Sequence, residues 1–272
     1  GMLAFRHKTR KNKFRFCVPF FLAVQLVLSV FCLYQNYHLT TTYYDVDLNL
    51  ERNLTIVQVS DLHNQVFGIN EQTLLGRIEE EKPDMIVVTG DVVDSYHTSF
   101  SIALDFMRGA VKIAPVYYVS GNHELRFSQE ELNSFFEAMQ DMGVIILDDT
   151  YIDFEDFVLA GVGDASLYGG FAAYEPFAAE RNVILLAHEP QYTEFFHSLG
   201  ADLVLTGHFH GGQVILPGGR GFVSPEFKFL PEVAYGSHDI DGMTLIISRG
   251  LGNSILPVRV NNYPELVVIR VS

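Results

Sequence analysis

Cysteine is almost absent from this 272-residue chain, and both copies, Cys17 and Cys32, lie in one apolar stretch near the amino terminus. The remaining residues, 35–272, contain no cysteine. This absence excludes a disulfide framework, a thiol nucleophile and a cysteine-ligated zinc site from the main part of the chain. Its stability and its chemistry must therefore rest on other side chains.

Basic residues are also scarce, since 18 lysines and arginines stand against 33 aspartates and glutamates and the formal net charge is −15. Residues 1–16 contain no acid and hold a third of the basic side chains, namely Arg6, Lys8, Arg10, Lys11, Lys13 and Arg15. The rest of the chain is therefore strongly acidic. Such a domain repels a nucleic-acid backbone, so duplex nucleic acid is an unfavourable partner.

Low-complexity tracts and fixed-period repeats are missing as well, and 48% of the residues are hydrophobic while 19% are charged. This composition excludes long disordered regions away from the ends and allows a sizeable core. No stretch within residues 40–272 has the composition of a linker. We therefore expect a single domain after the apolar stretch.

That apolar stretch covers residues 16–34, which carry no charge and one strongly polar side chain, Gln25. About 20 such residues span a bilayer as a helix. A cleaved signal peptide and a buried core helix are the alternatives. No Ala-x-Ala site follows, and Phe31 before Cys32 does not suit a lipoprotein cleavage box, so we predict an uncleaved anchor.

The basic residues before the anchor predict its direction. Positive charge stays on the cytoplasmic side of a membrane. We therefore expect a cytoplasmic segment at residues 1–15, a transmembrane anchor at 16–34, and an extracytoplasmic domain at 35–272 at the cell membrane.

Short apolar runs rich in β-branched residues alternate with helical patterns along the domain, which is typical of an α/β fold. Too many strands are predicted for one comfortable sheet. We expect two mixed β-sheets packed face to face with flanking helices. The predicted strands are Tyr44 to Leu50, Leu54 to Val59, Met85 to Thr89, Val116 to Val119, Val144 to Leu147, Val158 to Val162, Val183 to Leu186, Leu203 to Thr206, Met243 to Ile247 and Leu266 to Val271.

One helix has clear end signals. Ser128 and Glu131 form the pattern of a capping box, and Gly143 is a typical terminator. Between them, the residues with helical spacing are apolar, which predicts a helix with one buried face.

Potential ligands follow the ends of the predicted strands. Asp61, Asp91 and Asn122 are separated by 30 and 31 residues, about the length of one strand–helix–strand unit. Parallel strands present their carboxyl ends at one edge, where ligands bind. The spacing therefore predicts one site, to which later strands add His188, His208 and His210.

The composition of this set points to metal chemistry. Imidazole suits transition metals, and carboxylates can bridge two ions. With His63, seven potential ligands are present, which is too many for one tetrahedral zinc. They suit two ions about 3.5–4 Å apart, as in enzymes that displace a group at phosphorus.

Five short motifs occur in order along the chain. They are Asp61-x-His63, Gly90-Asp91-x-x-Asp94, Gly121-Asn122-His123-Glu124, His188 and Gly207-His208-x-His210. This series resembles the calcineurin-like metallophosphoesterase superfamily. The later stretch Ser248-Arg249-Gly250-Leu251-Gly252, with Pro264-Glu265, is similar to a bacterial branch that is often membrane-anchored or exported.

The resemblance implies a role for each residue. Asp61, His63 and His210 would hold one divalent ion, with Asn122, His188 and His208 holding the second and Asp91 bridging them; Mn, Fe or Zn would fit. The resemblance further implies attack on phosphorus by a metal-bound hydroxide. His123 would assist the leaving group and Asp94 would orient His123. Glu124 is expected to make supporting contacts.

The substrate is less constrained. Protein phosphatases of the superfamily carry arginine after the second aspartate of the second motif, where this chain has Ser95. This favours a phosphodiester or a small phosphomonoester. Because the domain is expected outside the cytoplasm at the membrane, a lipid-linked phosphoester or a cell-envelope phosphodiester is a further candidate. Arg126 and Arg220 are candidate phosphate contacts, whereas His97 is expected in a solvated loop. The alternative is a catalytically weak, membrane-tethered domain that binds metal or a partner.

Overall fold

The computed structural model describes residues 2–95, 99–169, 181–223, 229–231, 233–253 and 258–272, and the side chains of all of these except 2–17 and 169. His97 lies outside the described residues. Helices and strands occur in the order α1 (Met2–Tyr37), β1 (Thr40–Val46), β2 (Leu54–Val59), α2 (Gln72–Glu81), β3 (Met85–Thr89), α3 (Ser101–Ala110), β4 (Val116–Val119), α4 (Gln129–Asp141), β5 (Ile145–Ile146), β6 (Thr150–Asp153), β7 (Phe157–Gly161), α5 (Asp164–Gly169), β8 (Asn182–Leu186), α6 (Thr193–Ser198), β9 (Leu203–Thr206), β10 (Gly236–Ile240), β11 (Met243–Ile247) and β12 (Glu265–Val271).

The strands form two six-stranded sheets, in the orders β1-β12-β2-β3-β4-β5 and β10-β11-β9-β8-β7-β6. Both sheets are mixed, because β12 runs antiparallel to β2 and β10 runs antiparallel to β11. Helices α2, α3 and α4 pack on the outer face of the first sheet, and α6 packs on the second. The predicted α/β fold with two mixed, packed sheets is confirmed.

Strand β2 shows why the apolar runs are continuous. Ile56 faces the second sheet, while Val57 and Val59 face the helices. Side chains of a strand alternate between the two faces, so a strand covered on both sides must be apolar at nearly every position. Such buried strands hold the loops that follow them in fixed positions.

Helix α4 begins as its sequence predicts. The Ser128 side chain accepts a hydrogen bond from the backbone N–H of Glu131, and the Glu131 carboxylate accepts one from the backbone N–H of Ser128. Gly143 has φ 98°, a left-handed conformation that suits glycine after a helix.

Several strand boundaries differ from prediction. Strand β1 covers Thr40–Val46, so the alternating pattern up to Leu50 extends beyond the paired segment. Strand β5 has two residues only. Strands β6 and β10 were not predicted, since both are edge strands with several exposed or half-exposed positions and no sustained apolar run.

The carboxyl ends of β2, β3, β4, β8 and β9 lie together, and we call this edge the ligand edge. Near the amino terminus, the part of α1 from Val18 to Tyr37 is long and apolar enough to cross a membrane, and 6% of it is buried. A signal sequence near the amino terminus can meet the same criterion of length and hydropathy.

Candidate metal centre

Loops at the ligand edge hold five of the seven predicted ligands in an unusual backbone conformation. Their φ angles are positive, although none is glycine: Asp61 51°, His63 45°, Asp91 51°, His208 68° and His210 47°. Such conformations cost about 1 kcal/mol or more each and persist where the surrounding structure imposes them, often at functional sites. The strands on both sides therefore impose the geometry of this edge.

The first cluster consists of Asp61, His63 and His210, all buried. The Nε2 atoms of the two imidazoles are 3.2 Å apart, and Asp61 Oδ1 lies 3.9 Å from His63 Nε2 and 3.6 Å from His210 Nε2. Neither histidine Nδ1 has a hydrogen-bond partner among the described residues. Two nitrogens and a carboxylate thus converge on one point, which fits a divalent cation.

The second cluster consists of Asp91, Asn122, His188 and His208. His188 Nε2 lies 3.1 Å from Asp91 Oδ2, and His208 Nδ1 lies 3.2 Å from His188 Nε2 and 3.1 Å from Asn122 Oδ1. His188 Nδ1 donates to the carbonyl oxygen of Thr89 at 2.8 Å. That bond leaves the Nε2 lone pair of a neutral ring aimed at the cluster, as in histidines that bind metals.

Asp91 connects the two clusters through a single atom. Its Oδ2 is 3.1 Å from His188 Nε2 and 3.6 Å from His63 Nε2. The same carboxylate holds the next loop, because Asp91 Oδ1 accepts the backbone N–H of His123 at 2.8 Å. A carboxylate shared in this way can bridge two cations.

The protonation states agree with metal binding. Burial lowers the pKa of His63 to about 3, and burial together with the Arg259 charge holds the pKa of His210 well below its ordinary value. Burial would raise the pKa of Asp91, but His188 and His63 outweigh it and the pKa lies well below the usual range. At neutral pH these groups are neutral imidazoles and an ionised carboxylate, the forms that bind metals.

His188 differs from the other histidines. Burial lowers its pKa, but the contact with Asp91 outweighs burial and raises the pKa well above the ordinary value. The pair thus holds a proton that a bound cation would displace, which makes metal affinity dependent on pH.

His123 lies beside both clusters, with its ring centroid 4.6 Å from that of His63. Its Nδ1 accepts the backbone N–H of Ser95 at 3.3 Å and lies 3.6 Å from Asp94 Oδ1. Burial lowers the pKa of His123. Because Nδ1 accepts, a neutral ring carries its proton on Nε2.

Glu124 makes the supporting contacts expected of it. The fully buried carboxylate accepts backbone N–H groups from Asp91, Val92 and Gly121 at 2.9–3.0 Å. Burial raises its pKa to about 7. It therefore joins the loops after β3 and β4, which carry Asp91 and Asn122.

The two arginines predicted as phosphate contacts have different surroundings. Arg220 is exposed and donates to the carbonyl oxygen of Leu230. Arg126 is close enough to His123 for its charge to lower the pKa of that ring.

Sequence reasoning missed two buried ionisable residues near the site. Asp164 follows β7, and neither carboxylate oxygen has a hydrogen-bond partner among the described residues; burial raises its pKa to about 9. Because Asp164 follows a strand that ends at the ligand edge, the sequence pattern could have predicted it as a site residue. Arg259 is fully buried and gave no such signal.

Comparison with known proteins identifies relatives of the whole domain. Residues 54–212 match the sequence model of a family described as calcineurin-like phosphoesterase. The Escherichia coli phosphodiesterase YaeI is 30% identical over 79% of this chain and 80% of its own length. The metallophosphoesterase Cj0846 of Campylobacter jejuni is 28% identical over 90% of this chain and 67% of its own length. A Danio rerio transmembrane protein with a metallophosphoesterase domain is 25% identical over 83% of this chain and 56% of its own length.

Proposed function

The chain belongs to the calcineurin-like phosphoesterase family and is a metal-dependent phosphoesterase; on that premise we propose that it hydrolyses phosphodiesters with two divalent ions. Asp61, His63 and His210 would hold one ion, and Asn122, His188 and His208 the other. The observation that carries this proposal is the position of Asp91 Oδ2 between His63 and His188. Two ions supply an activated water and positive charge against the phosphate oxygens.

The residues of the chain supply the rest of the reaction. His123 holds a proton on Nε2 and gives it to the departing oxygen as the phosphorus–oxygen bond breaks. Ser95 N–H donates to Nδ1 and fixes the tautomer. The Asp94 charge, 3.6 Å from Nδ1, favours the protonated form of the ring. Glu124 keeps the loops of Asp91 and Asn122 in register.

Two features support a diester as the substrate. Ser95 occupies the position where the related protein phosphatases carry arginine, so a cation for a second free phosphate oxygen is absent from that position. YaeI, with 30% identity, is a phosphodiesterase.

A direct assay tests the proposal. The full chain in detergent, supplied with Mn²⁺, is given bis(p-nitrophenyl) phosphate and p-nitrophenyl phosphate side by side, with a chelator-treated sample as control. We expect faster release of nitrophenolate from the diester and loss of both activities with the chelator. A preference for the monoester would contradict the diester assignment, and activity that survives complete metal removal would contradict the metal site.

The rival function is a membrane-tethered domain that binds metal without catalysis. It would predict tight metal binding with no turnover of either ester. The contacts of His123 with Ser95 and Asp94 favour an enzyme. Metal binding alone does not require a histidine with a fixed tautomer beside the clusters.

We also propose that α1 spans the cell membrane and that residues 35–272 lie outside the cytoplasm. The apolar segment Val18–Tyr37 and the basic residues before it support this orientation.

A further inference from the structure

The strand register determines where α1 joins the domain. Strand β1 begins at Thr40, which pairs with Glu265 at the start of β12. Strand β12 runs antiparallel to β2, and its Val267 pairs with Gln58 near the end of β2. Thr40 therefore lies at the edge where β2 ends, which is the ligand edge. The helix enters the domain on the side that carries the metal clusters.

The last turn of α1 is built into this edge. Gln35 and Asn36 are buried, although the residues before them are mostly exposed. Gln35 Nε2 donates to the Tyr263 hydroxyl at 3.1 Å, and Asn36 Oδ1 accepts the backbone N–H of Arg259 at 3.0 Å. These buried polar contacts fix the helix end to the domain.

From there a short series of contacts reaches the first cluster. The buried Arg259 guanidinium donates to the carbonyl oxygen of Gly252. The N–H of Gly252 donates to the carbonyl oxygen of Asp61 at 2.6 Å. Only two residues, Arg259 and Gly252, thus separate Asn36 of the helix from the ligand Asp61.

Exposed apolar side chains surround the same edge. We call them the apolar rim, and its members are Val66, Ile69, Phe222, Phe229, Leu230 and Val258. Ile69 is 78% exposed and Phe229 is 70% exposed. Within the described part of residues 40–272, the one other exposed large aliphatic or phenylalanine side chain is Ile145.

The rim lies close to both the metal clusters and the helix. Val66 and Ile69 belong to the loop that follows His63. Phe222 N–H bonds to the carbonyl oxygen of Gly212, two residues after His210. Val258 precedes Arg259, which contacts the end of α1.

We propose that the ligand edge lies against the bilayer that holds α1, and that the site takes its phosphodiester from a lipid of that bilayer. Exposed apolar groups next to a membrane helix bury themselves at the boundary of headgroups and acyl chains. The headgroup phosphate then lies at the depth of the metal clusters, while the acyl chains remain in the bilayer. Water adds to phosphorus, one phosphorus–oxygen bond breaks, and the departing oxygen takes a proton. The proposal rests on the phosphodiesterase function and on the α1 span.

The absence of tryptophan from the chain allows a direct test of orientation. Single-tryptophan variants Ile69→Trp and Phe229→Trp report on the rim, and Arg52→Trp, in the exposed loop between β1 and β2 at the opposite edge, is the matched control. Each full chain is reconstituted in phosphatidylcholine vesicles with and without brominated acyl chains, which quench tryptophan by contact. We expect both rim variants to lose about half or more of their emission and Arg52→Trp to lose none. Equal quenching in all three, or none in the rim variants, would overturn the orientation.

A second experiment tests the source of the substrate. p-Nitrophenyl hexadecyl phosphate in phosphatidylcholine vesicles and soluble p-nitrophenyl ethyl phosphate share the same scissile bond and differ in the alkyl chain. We expect the reconstituted chain to hydrolyse the hexadecyl ester about tenfold or more faster at equal total concentration, because both partners are confined to one surface.

The outcomes separate the two proposals. Equal rates on both esters would refute the lipid source and leave the phosphodiesterase function intact. No turnover of either ester, with Mn²⁺ present, would refute the phosphodiesterase function itself and with it the lipid substrate. If the tryptophans in the apolar rim are not quenched and the chain binds a soluble protein instead, the rim is a protein interface and not a membrane contact.

Discussion

At the scale of single residues, Asp91 makes contacts with several parts of the site. Its Oδ2 faces His63 and His188, its Oδ1 accepts the His123 N–H, and its own N–H is held by Glu124. One carboxylate thus fixes both clusters and the proposed acid.

Asp91→Ala should therefore remove bound metal and activity together while the sheets remain folded. The reason is that the variant loses the bridging carboxylate but no apolar contact of the core. Elemental analysis of the purified chain measures metal content, and circular dichroism checks the fold. Asp105→Ala, at a half-exposed position of α3, is the control and should retain both ions. Two ions retained by Asp91→Ala would contradict the bridging role.

His123→Ala should separate chemistry from metal binding. Positioned acid catalysis contributes about 10²–10⁴-fold, so turnover should fall by that order with both metals in place. The loss should be large for an ester with an alkoxide leaving group and small for nitrophenolate, which departs without a proton. Comparison of kcat for the two kinds of ester measures this difference.

Asp94→Asn should produce a milder form of the same defect, because Asp94 only orients the imidazole. Equal losses for good and poor leaving groups would show that His123 is not the acid.

At the scale of elements, the helices and the strand ends have different tasks. The helices cover the outer faces of the sheets, and the strand ends hold ligands in strained loops. Gly207 shows how closely these loops approach, because a Cβ at that position would collide with the side chains of Ser60 and Asp61. Larger side chains would therefore not fit where these loops approach each other.

Helix α4 offers a test of local stability away from the site. Ser128→Ala removes the side-chain acceptor of the capping box, which should lower the free energy of unfolding by about 1 kcal/mol. Ser134→Ala, at an exposed position inside the helix, is the control and should leave stability unchanged or slightly raised. Chemical unfolding followed by circular dichroism measures both. A Ser128→Ala variant as stable as the control would show that the cap contributes nothing.

At the scale of the whole molecule, β12 decides where the metal clusters lie relative to α1. If β12 ran parallel to β2, the start of β1 would lie at the opposite edge and the clusters would be remote from the helix. The antiparallel pairing of Val267 with Gln58 places them on the same side.

The proposed orientation predicts the outcome of protease treatment. Protease added to spheroplasts should digest the domain beyond residue 35, because six basic residues before the anchor hold the amino terminus inside. A cytoplasmic protein detected in the same samples controls for lysis. A domain that is digested only after lysis would reverse the orientation.

The sequence by itself determined the chemical inventory of this protein. Asp61, Asp91 and Asn122 could be recognised because each follows a buried apolar strand, and the strand pattern depends on neighbouring residues alone. The cap of α4 and the apolar segment of α1 are local for the same reason. The two packed sheets followed from the number of such strands.

Only the tertiary structure decided which residues support the site from a distance. Arg259 has no local signal, since its burial depends on the end of α1, more than 200 residues earlier, and on the loop at Gly252. Strands β6 and β10 were missed because an edge strand is specified by its partner more than by its own pattern. The side on which α1 enters depends on the register of β12, a non-local pairing that no stretch of neighbouring residues encodes.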